Sequence, residues 1–442
     1  MRISTSQIFE AGSTQVQRGQ SSLYKLQNQL GTGRRVLTPQ DDPVAASRAL
    51  VVNQSVAVNQ QYIDNQGLAT SQLGLVDTQL TALSNALLNV RDRVLQAGNT
   101  TLSASDREAI ASELQARFGE IMGIANADNG AGEYLFSGYS GKVQPFAIDG
   151  SQAAIAPATS SPVGYSGDSG ERLLQVSASR SMSVSVAGDE LFQKIANGNG
   201  TFVTSTNGNQ LAVPTVNNQG SGIINAGSVL DLQKWQTAAN TRDGTTNNLP
   251  LPLEIRFSTN ATTGVLEYSI YDSGTGTATT PATYTSGQSI SLVTAGGLDF
   301  GATVTVSGTP SAGDSFKIDA SKSQSLFQTM QNLLGILRSP IGSTTYTSTQ
   351  YSNDLAGQLT NIDQAMANVS RIQSDIGTKE QELESLGTAA SDLAIQYKST
   401  LSNLQDLDYN KTISDFLQQQ MNLQAAQASF AKISGMSLFN YL

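Results

Sequence analysis

LAGQLTNIDQAMANVSRIQSDIGTKEQELESLGTAASDLAIQYKSTLSNL, residues 355–404, carries Leu355, Ile362, Val369, Ile376, Leu383, Ala390, Tyr397 and Leu404 at seven-residue steps. Partners three positions further on include Ala365, Ile372, Leu386, Leu393 and Leu407. An apolar stripe of that period is the seam of a coiled coil. About fifty residues at ~1.5 Å each span on the order of 80 Å, longer than one compact domain needs. The stretch therefore predicts a long bundle helix. After Asp408 the spacing shifts and Tyr409, Phe416, Leu423 and Phe430 resume it, which reads as a stutter.

The opposite end of the chain has the same period. FEAGSTQVQRGQSSLYKLQNQL, residues 9–30, places Phe9, Val16, Leu23 and Leu30 seven apart, with Gly12, Gly19 and then Leu26 midway between them. An antiparallel pair between residues 3–37 and 409–440 covers both stripes. Two helices this thin bury little area, and the pair is expected to be marginal in an isolated chain. The small residues are expected to let neighbouring copies approach. The candidate assembly residues are Phe9, Val16, Leu23, Leu26 and Leu30 at one end, with Tyr409, Ile413, Phe416, Leu423, Phe430, Ile433 and Leu438 at the other.

Between the ends the chain reads helix, strand, helix. Leu73, Val76, Leu80, Leu83, Leu87, Val90 and Val94 alternate steps of three and four within a helix from Pro43 to about Ala97. Asp41 or Asp42 is its N-cap, and Gly98 ends it. Ser105 with Glu108 forms a capping box for the next helix, whose inner face carries Ile110, Leu114, the stem of Arg117, Ile121 and Ile124. From about Gly138 to Asp319 the composition turns to Gly, Ser and Thr. The runs LLQVSASRSMSVSV, PLEIRFS, GVLEYSIYD, ATVTVSG and DSFKID predict antiparallel strands, whereas NGNGTFVTSTNGNQ and DSGTGTATTPAT read as loops or hairpin tips. Helix resumes at SQSLFQTMQNLLGILRS. The fold class is α+β: terminal antiparallel helices and a long coiled-coil-like bundle with an inserted, mainly antiparallel β domain. The segments divide as 1–40 with 408–442, 41–140 with 320–407, and 141–319, of which 141–190 packs on the bundle and 191–319 forms the β domain.

Composition narrows the function. Charged residues make up 14% of the 442, against roughly 25% in an ordinary globular protein. Weakly charged polar surface is cheaper to desolvate, which suits packing against neighbours. A net charge of −10 and no basic patch exclude nucleic acid as an expected partner. Without Cys or His, thiolate and imidazole chemistry is ruled out, and neither a cofactor, a metal site nor an enzymatic activity is expected. MRISTSQIFEAGSTQ holds no apolar run long enough for a signal peptide, and nothing predicts membrane insertion. Asp41-Asp42 reads as a cap rather than a catalytic pair. GTGRRV at 31–36 reads as a flexible break, and DNGAGE at 128–133 as a turn. Tyr24, Tyr397 and Tyr409 are expected to pack with their polar tips at an edge, and Trp235 to lie in a core. Only Ser–Lys pairs remain for nucleophilic chemistry.

MRISTSQIF, LQNQLGTGRRVLTPQDDPVAASRAL and DREAIASEL…ANADNGAGEYLFSG resemble the N-terminal part of the flagellin superfamily, and within it the hook-associated branch. The C-terminal LDYNKTISDFLQQQMNLQAAQASFAKISGMSLFNYL and the segment VTVSGTPSAGDSFKID at 304–319 resemble that branch too. Flagellin itself opens with Ile-Asn-Thr-Asn and carries Arg-Leu-Ser-Ser-Gly-Leu-Arg-Ile in its first break. Here Arg-Ile-Ser-Thr and Gly-Arg-Arg-Val stand instead. The resemblance covers residues 1–140 and 320–442. It implies an extracellular structural subunit of the bacterial flagellum at the hook–filament junction, self-associating in a ring or helical layer. Both termini would sit in an inner tube and the β domain outward. It further implies export without a cleavable leader, an export chaperone on the C-terminal helix, and another hook-associated protein and flagellin as neighbours. A minor flagellin, a secreted adhesin and a hydrolase housed in the β domain are the alternatives.

Overall fold

Seven α-helices are present among the residues described in the computed structural model, which are 5–99, 101–148, 163–208, 217–242, 252–342 and 346–435. They are α1 (Thr5–Thr32), α2 (Pro43–Ala97), α3 (Ala104–Ala125), α4 (Leu232–Arg242), α5 (Leu326–Arg338), α6 (Ser348–Gln405) and α7 (Tyr409–Gly435). Asp42 caps α2 by accepting the Ala45 N–H at 2.9 Å, with Pro43 in the first helical position, where its missing N–H costs nothing. All seven members of the α2 apolar series are buried, and so are Leu355, Ile362, Val369, Ile376, Leu383 and Ala390 of α6. The heptad reading holds through α2 and through α6 as far as Ala390; beyond it Tyr397 and Leu404 are only half-buried and Leu393 is exposed.

Contacts divide the chain into two compact units. One comprises Met1–Gly67, Gln175–Arg180 and Leu383–Leu442, and the other Leu68–Leu174 with Ser181–Glu382. Within the second, α3 begins two residues earlier than the sequence suggests. Its capping box is Ser103 with Asp106, not Ser105 with Glu108. The two frames overlap in the sequence SASDRE. The earlier one satisfies two N-terminal N–H groups and leaves Glu108 free to pair with Arg338 at 3.3 Å. Phe118, rather than the stem of Arg117, completes the inner face. Its ring meets Phe327 of α5 edge-on at 5.8 Å, and Phe327 stacks on Phe192, which in turn meets Phe146. Arg117 faces outward and pairs with Glu120.

A second core in this unit lies between antiparallel sheets. A six-stranded sheet runs Thr277–Ala278, Leu266–Asp272, Leu253–Thr259, Ser315–Ala320, Phe202–Thr206, with Ala282–Thr283 also on Leu266–Asp272. Register pairs Ile270 with Ile255 and Phe316 with Ile255, so the period-two alternation puts all three on one buried face. In a four-stranded sheet, Asp299–Ser307 turns Phe300, Ala302, Val304 and Val306 inward. Two sequence expectations are corrected. NGNGTFVTSTNGNQ is not only loop, because Phe202–Thr206 is a strand whose Phe202 is fully buried. Trp235 is in the core as expected, but on a helix, α4, that the strand-rich composition concealed. It stacks on Phe202 at 5.3 Å and meets Phe300 edge-on at 5.5 Å. DNGAGE is a tight turn, with Asp128 and Asn129 side chains accepting the N–H groups of Gly130, Ala131 and Glu133.

Candidate functional site

The terminal helices α1 and α7 run antiparallel, and each seven-residue step along one answers a step back along the other. A Cβ on Gly12 would lie 2.7 Å from the Phe430 ring, and one on Gly19 would lie 3.1 Å from Leu423. Further on, a Cβ on Gly33 would lie 2.8 Å from the Tyr409 hydroxyl. Phe9 flanks Phe430, their ring centroids 4.9 Å apart. The glycines therefore have a use inside the chain. They are notches that admit large side chains of α7, not gaps reserved for neighbouring copies.

The notches do not bring burial. Every fully buried apolar residue among those described lies between Ala45 and Ala390, so none belongs to α1 or α7. Val16, Leu23, Leu26, Leu30, Phe416, Leu423 and Phe430 are half-buried. Phe9, Tyr409 and Ile413 are about half exposed, and Tyr24, expected to pack, is 67% exposed. The side chain of Ile433 and the whole of Leu438 lie outside the described residues. Leu417 and Met421 are as exposed as Ile413 and continue its line at i+4 and i+8. That second stripe is visible in the sequence but is masked by the heptad series beside it. Fully burying one such side chain is worth ~1.5–3 kcal/mol, so each half-exposed one leaves roughly 1 kcal/mol unrealised.

Two chain breaks meet at the base of this pair. The Arg35 N–H donates to the Gln405 carbonyl at 2.7 Å, and the Leu407 N–H donates to the Gly33 carbonyl at 3.0 Å. The Arg35 guanidinium adds a bond to the Leu404 carbonyl at 2.9 Å and an ion pair with Asp42 at 3.1 Å. Gln29 donates its amide to the Arg35 carbonyl, and Lys25 pairs with Asp41 at 2.7 Å. Asp41 also accepts the N–H groups of Leu37 and Thr38. The Lys25 ammonium first, and the Thr38 N–H next, hold its carboxyl at about 2. Asp42 is likewise lowered, chiefly by the Ala45 N–H. Gly33 has φ +70°, a conformation that costs glycine least. The GTGRRV segment is a break as expected, but a pinned one. The expected stutter is also a break: α6 stops at Gln405 and α7 restarts at Tyr409.

In the same unit, Asn59 donates to the Ala390 carbonyl, and Asn65 and Gln66 donate to the carbonyls of Gln175 and Val176. These bonds frame an uncharged groove of about 490 Å³ lined by Val51, Val58, Tyr62, Val176, Leu386 and Leu393, among others. Among the described residues no three His, Cys, Asp or Glu side chains group closely enough to hold a metal ion. Among the described residues Ser183 accepts a hydrogen bond from Lys379 at 2.8 Å. Lys379 is also ion-paired with Asp375 at 2.7 Å, so the amine meets the hydroxyl as a donor and not as a base.

Comparison with known proteins follows the helices. The bacterial flagellin N-terminal helical region matches residues 3–141, and the bacterial flagellin C-terminal helical region matches 359–442. Flagellar hook-associated protein 3 of Salmonella typhimurium is 24% identical over 440 residues, 99% of either chain. The crystal structure of flagellar hook associated protein-3 from Legionella pneumophila is 27% identical with a TM-score of 0.67, covering 80% of this chain and 98% of that one. The flagellar junction protein FlgL from the same organism gives 26% and 0.65, covering 81% of this chain and 100% of that one.

Proposed function

We propose that this chain, which belongs to the flagellin family, is a structural subunit of the bacterial flagellum that joins hook to filament and offers flagellin a surface on which to assemble. The observation that carries the reading is the terminal pair. Its register is specified by glycine notches, yet none of its described apolar side chains is fully buried within the chain. Ordering a residue costs about 1–2 kcal/mol of backbone entropy. That cost is offset when several neighbouring copies cover Phe9, Ile413, Leu417 and Met421 together, which makes association cooperative. The assembly surface is accordingly Phe9, Val16, Leu23, Leu26, Leu30, Tyr409, Ile413, Phe416, Leu423, Phe430, Ile433 and Leu438, enlarged by Leu417 and Met421.

The same reading gives the chain a second hook-associated protein as one axial neighbour and flagellin as the other. It also gives an export chaperone that shields α7 before assembly, and an extracellular location. A deletion strain tests it. Loss of the gene should leave hooks without filaments and flagellin in the medium, with rescue by the intact chain. Filaments of ordinary number and length in the deletion strain would exclude the junction role and favour a minor flagellin.

A further inference from the structure

The segment between α6 and α7, Asp406-Leu407-Asp408, contains neither proline nor glycine. Nothing in its covalent structure forbids a helix. In an unbroken α-helix the Leu407 N–H would bond the Asn403 carbonyl, Asp408 the Leu404 carbonyl, and Tyr409 the Gln405 carbonyl. Each of these three bonds has a substitute supplied by the exit of α1. The Leu407 N–H goes to Gly33, the Leu404 carbonyl receives the Arg35 guanidinium, and the Gln405 carbonyl receives the Arg35 N–H. Asp408 then caps the restarted helix by accepting the Lys411 N–H at 3.1 Å.

From this exchange we propose that residues 33–35 form a latch that interrupts the C-terminal helix, and that releasing the latch lets α6 and α7 run as one helix. This rests on the clasp alone and does not require the assembly reading. The two states differ in what α7 presents. At 100° per residue, Tyr409 on a continuous helix lies about 140° around the axis from Leu404, five residues earlier. The stripe Tyr409, Phe416, Leu423 and Phe430 would then face away from the seam of α6. With the latch closed, Tyr409, Leu423 and Phe430 instead face Gly33, Gly19 and Gly12. The N-terminal segment thus decides which way the C-terminal stripe points, and the two ends acquire their paired form together.

Backbone amide exchange and Cα chemical shifts in the full-length chain, labelled at Leu, Asp and Tyr, test the latch. The double variant Gly33→Val/Arg35→Pro places a branched Cβ against the Tyr409 hydroxyl and removes the N–H that serves Gln405. It should move the shifts of residues 406–409 to helical values. Exchange at Asp408 and Tyr409 should slow by about tenfold or more, while Leu407 stays protected. The milder Arg35→Ala, which keeps both backbone bonds, should give a smaller change in the same direction. If α1 unravels in the double variant, the latch is open and the expectation for residues 406–409 is unchanged. Shifts that stay non-helical there, or amides at Asp408 and Tyr409 that exchange as fast as in the parent or faster, would overturn the proposal.

Discussion

Replacing Leu423 by Asp separates the terminal pair from the rest of the molecule. Leu423 lies over the Gly19 notch and is half-buried. Its loss removes roughly half of the ~1.5–3 kcal/mol that full burial provides, and a partly desolvated carboxylate adds a comparable cost, for about 2 kcal/mol in all. That energy belongs to α1 and α7, which contribute no residue to the buried apolar core. The chain has one Trp, Trp235, held between Phe202 and Phe300 in the β core, so its fluorescence reports that core alone. Thermal unfolding followed at Trp235 should move by less than about 1 °C. Were the ends coupled to the core, a shift of roughly 2–4 °C per kcal/mol would appear. In an assembly the same carboxylate is sealed among neighbours, at a cost on the order of 3 kcal/mol or more, which is over a hundredfold in association. Incorporation into flagella, scored by electron microscopy of a complemented deletion strain, should be lost. A Trp235 midpoint lowered by several degrees would refute the reasoning, because the terminal pair would then be part of the core.

Three further outcomes follow from the remaining structure. Ser103→Ala should cost about 1 kcal/mol in urea unfolding by removing the α3 cap, whereas Ser105→Ala should be nearly neutral; the reverse order would restore the later capping frame. Tyr351→Phe removes the buried hydroxyl that donates to the Ala97 carbonyl at 2.8 Å, and should cost about 1–3 kcal/mol in the same assay. Burial raises the carboxyl of Asp354, despite hydrogen bonds from Tyr346 and Gln350. A folded pKa above the unfolded value gives a contribution present in full below about pH 3.9 and lost as pH rises through the folded pKa. Asp354→Asn should therefore raise the urea midpoint near pH 7 relative to the parent, with the advantage shrinking towards pH 4. A parent and variant that track each other across that range would contradict the burial of the charge.

Helices were the legible part of this chain. A heptad stripe such as Leu355 to Ala390 is decided by spacing alone, because side chains seven apart fall on one face whatever they pack against. Errors arose where two local signals competed. Ser103–Asp106 and Ser105–Glu108 are both sound capping boxes, and only the packing of Phe118 against Phe327 and the pairing of Glu108 with Arg338 separate them. Phe202 was hidden in a run of Gly, Asn and Thr, and α4 in polar sequence, because burial there depends on partners distant in the chain. The candidate site divides the same way. Its heptad members were readable, but Leu417 and Met421 were overshadowed by the stronger stripe.

By itself the sequence determined the helix–strand–helix plan, the long helices, the matching stripes at the two ends and the lack of imidazole and thiol chemistry, since these follow from residue type and period. Tertiary structure decided the use of Gly12 and Gly19 as notches for Phe430 and Leu423, and the interruption between Gln405 and Tyr409. Both are questions of which groups meet across hundreds of residues. A carbonyl such as that of Gln405 bonds along its own helix unless another donor reaches it, and only the folded chain brings Arg35 there.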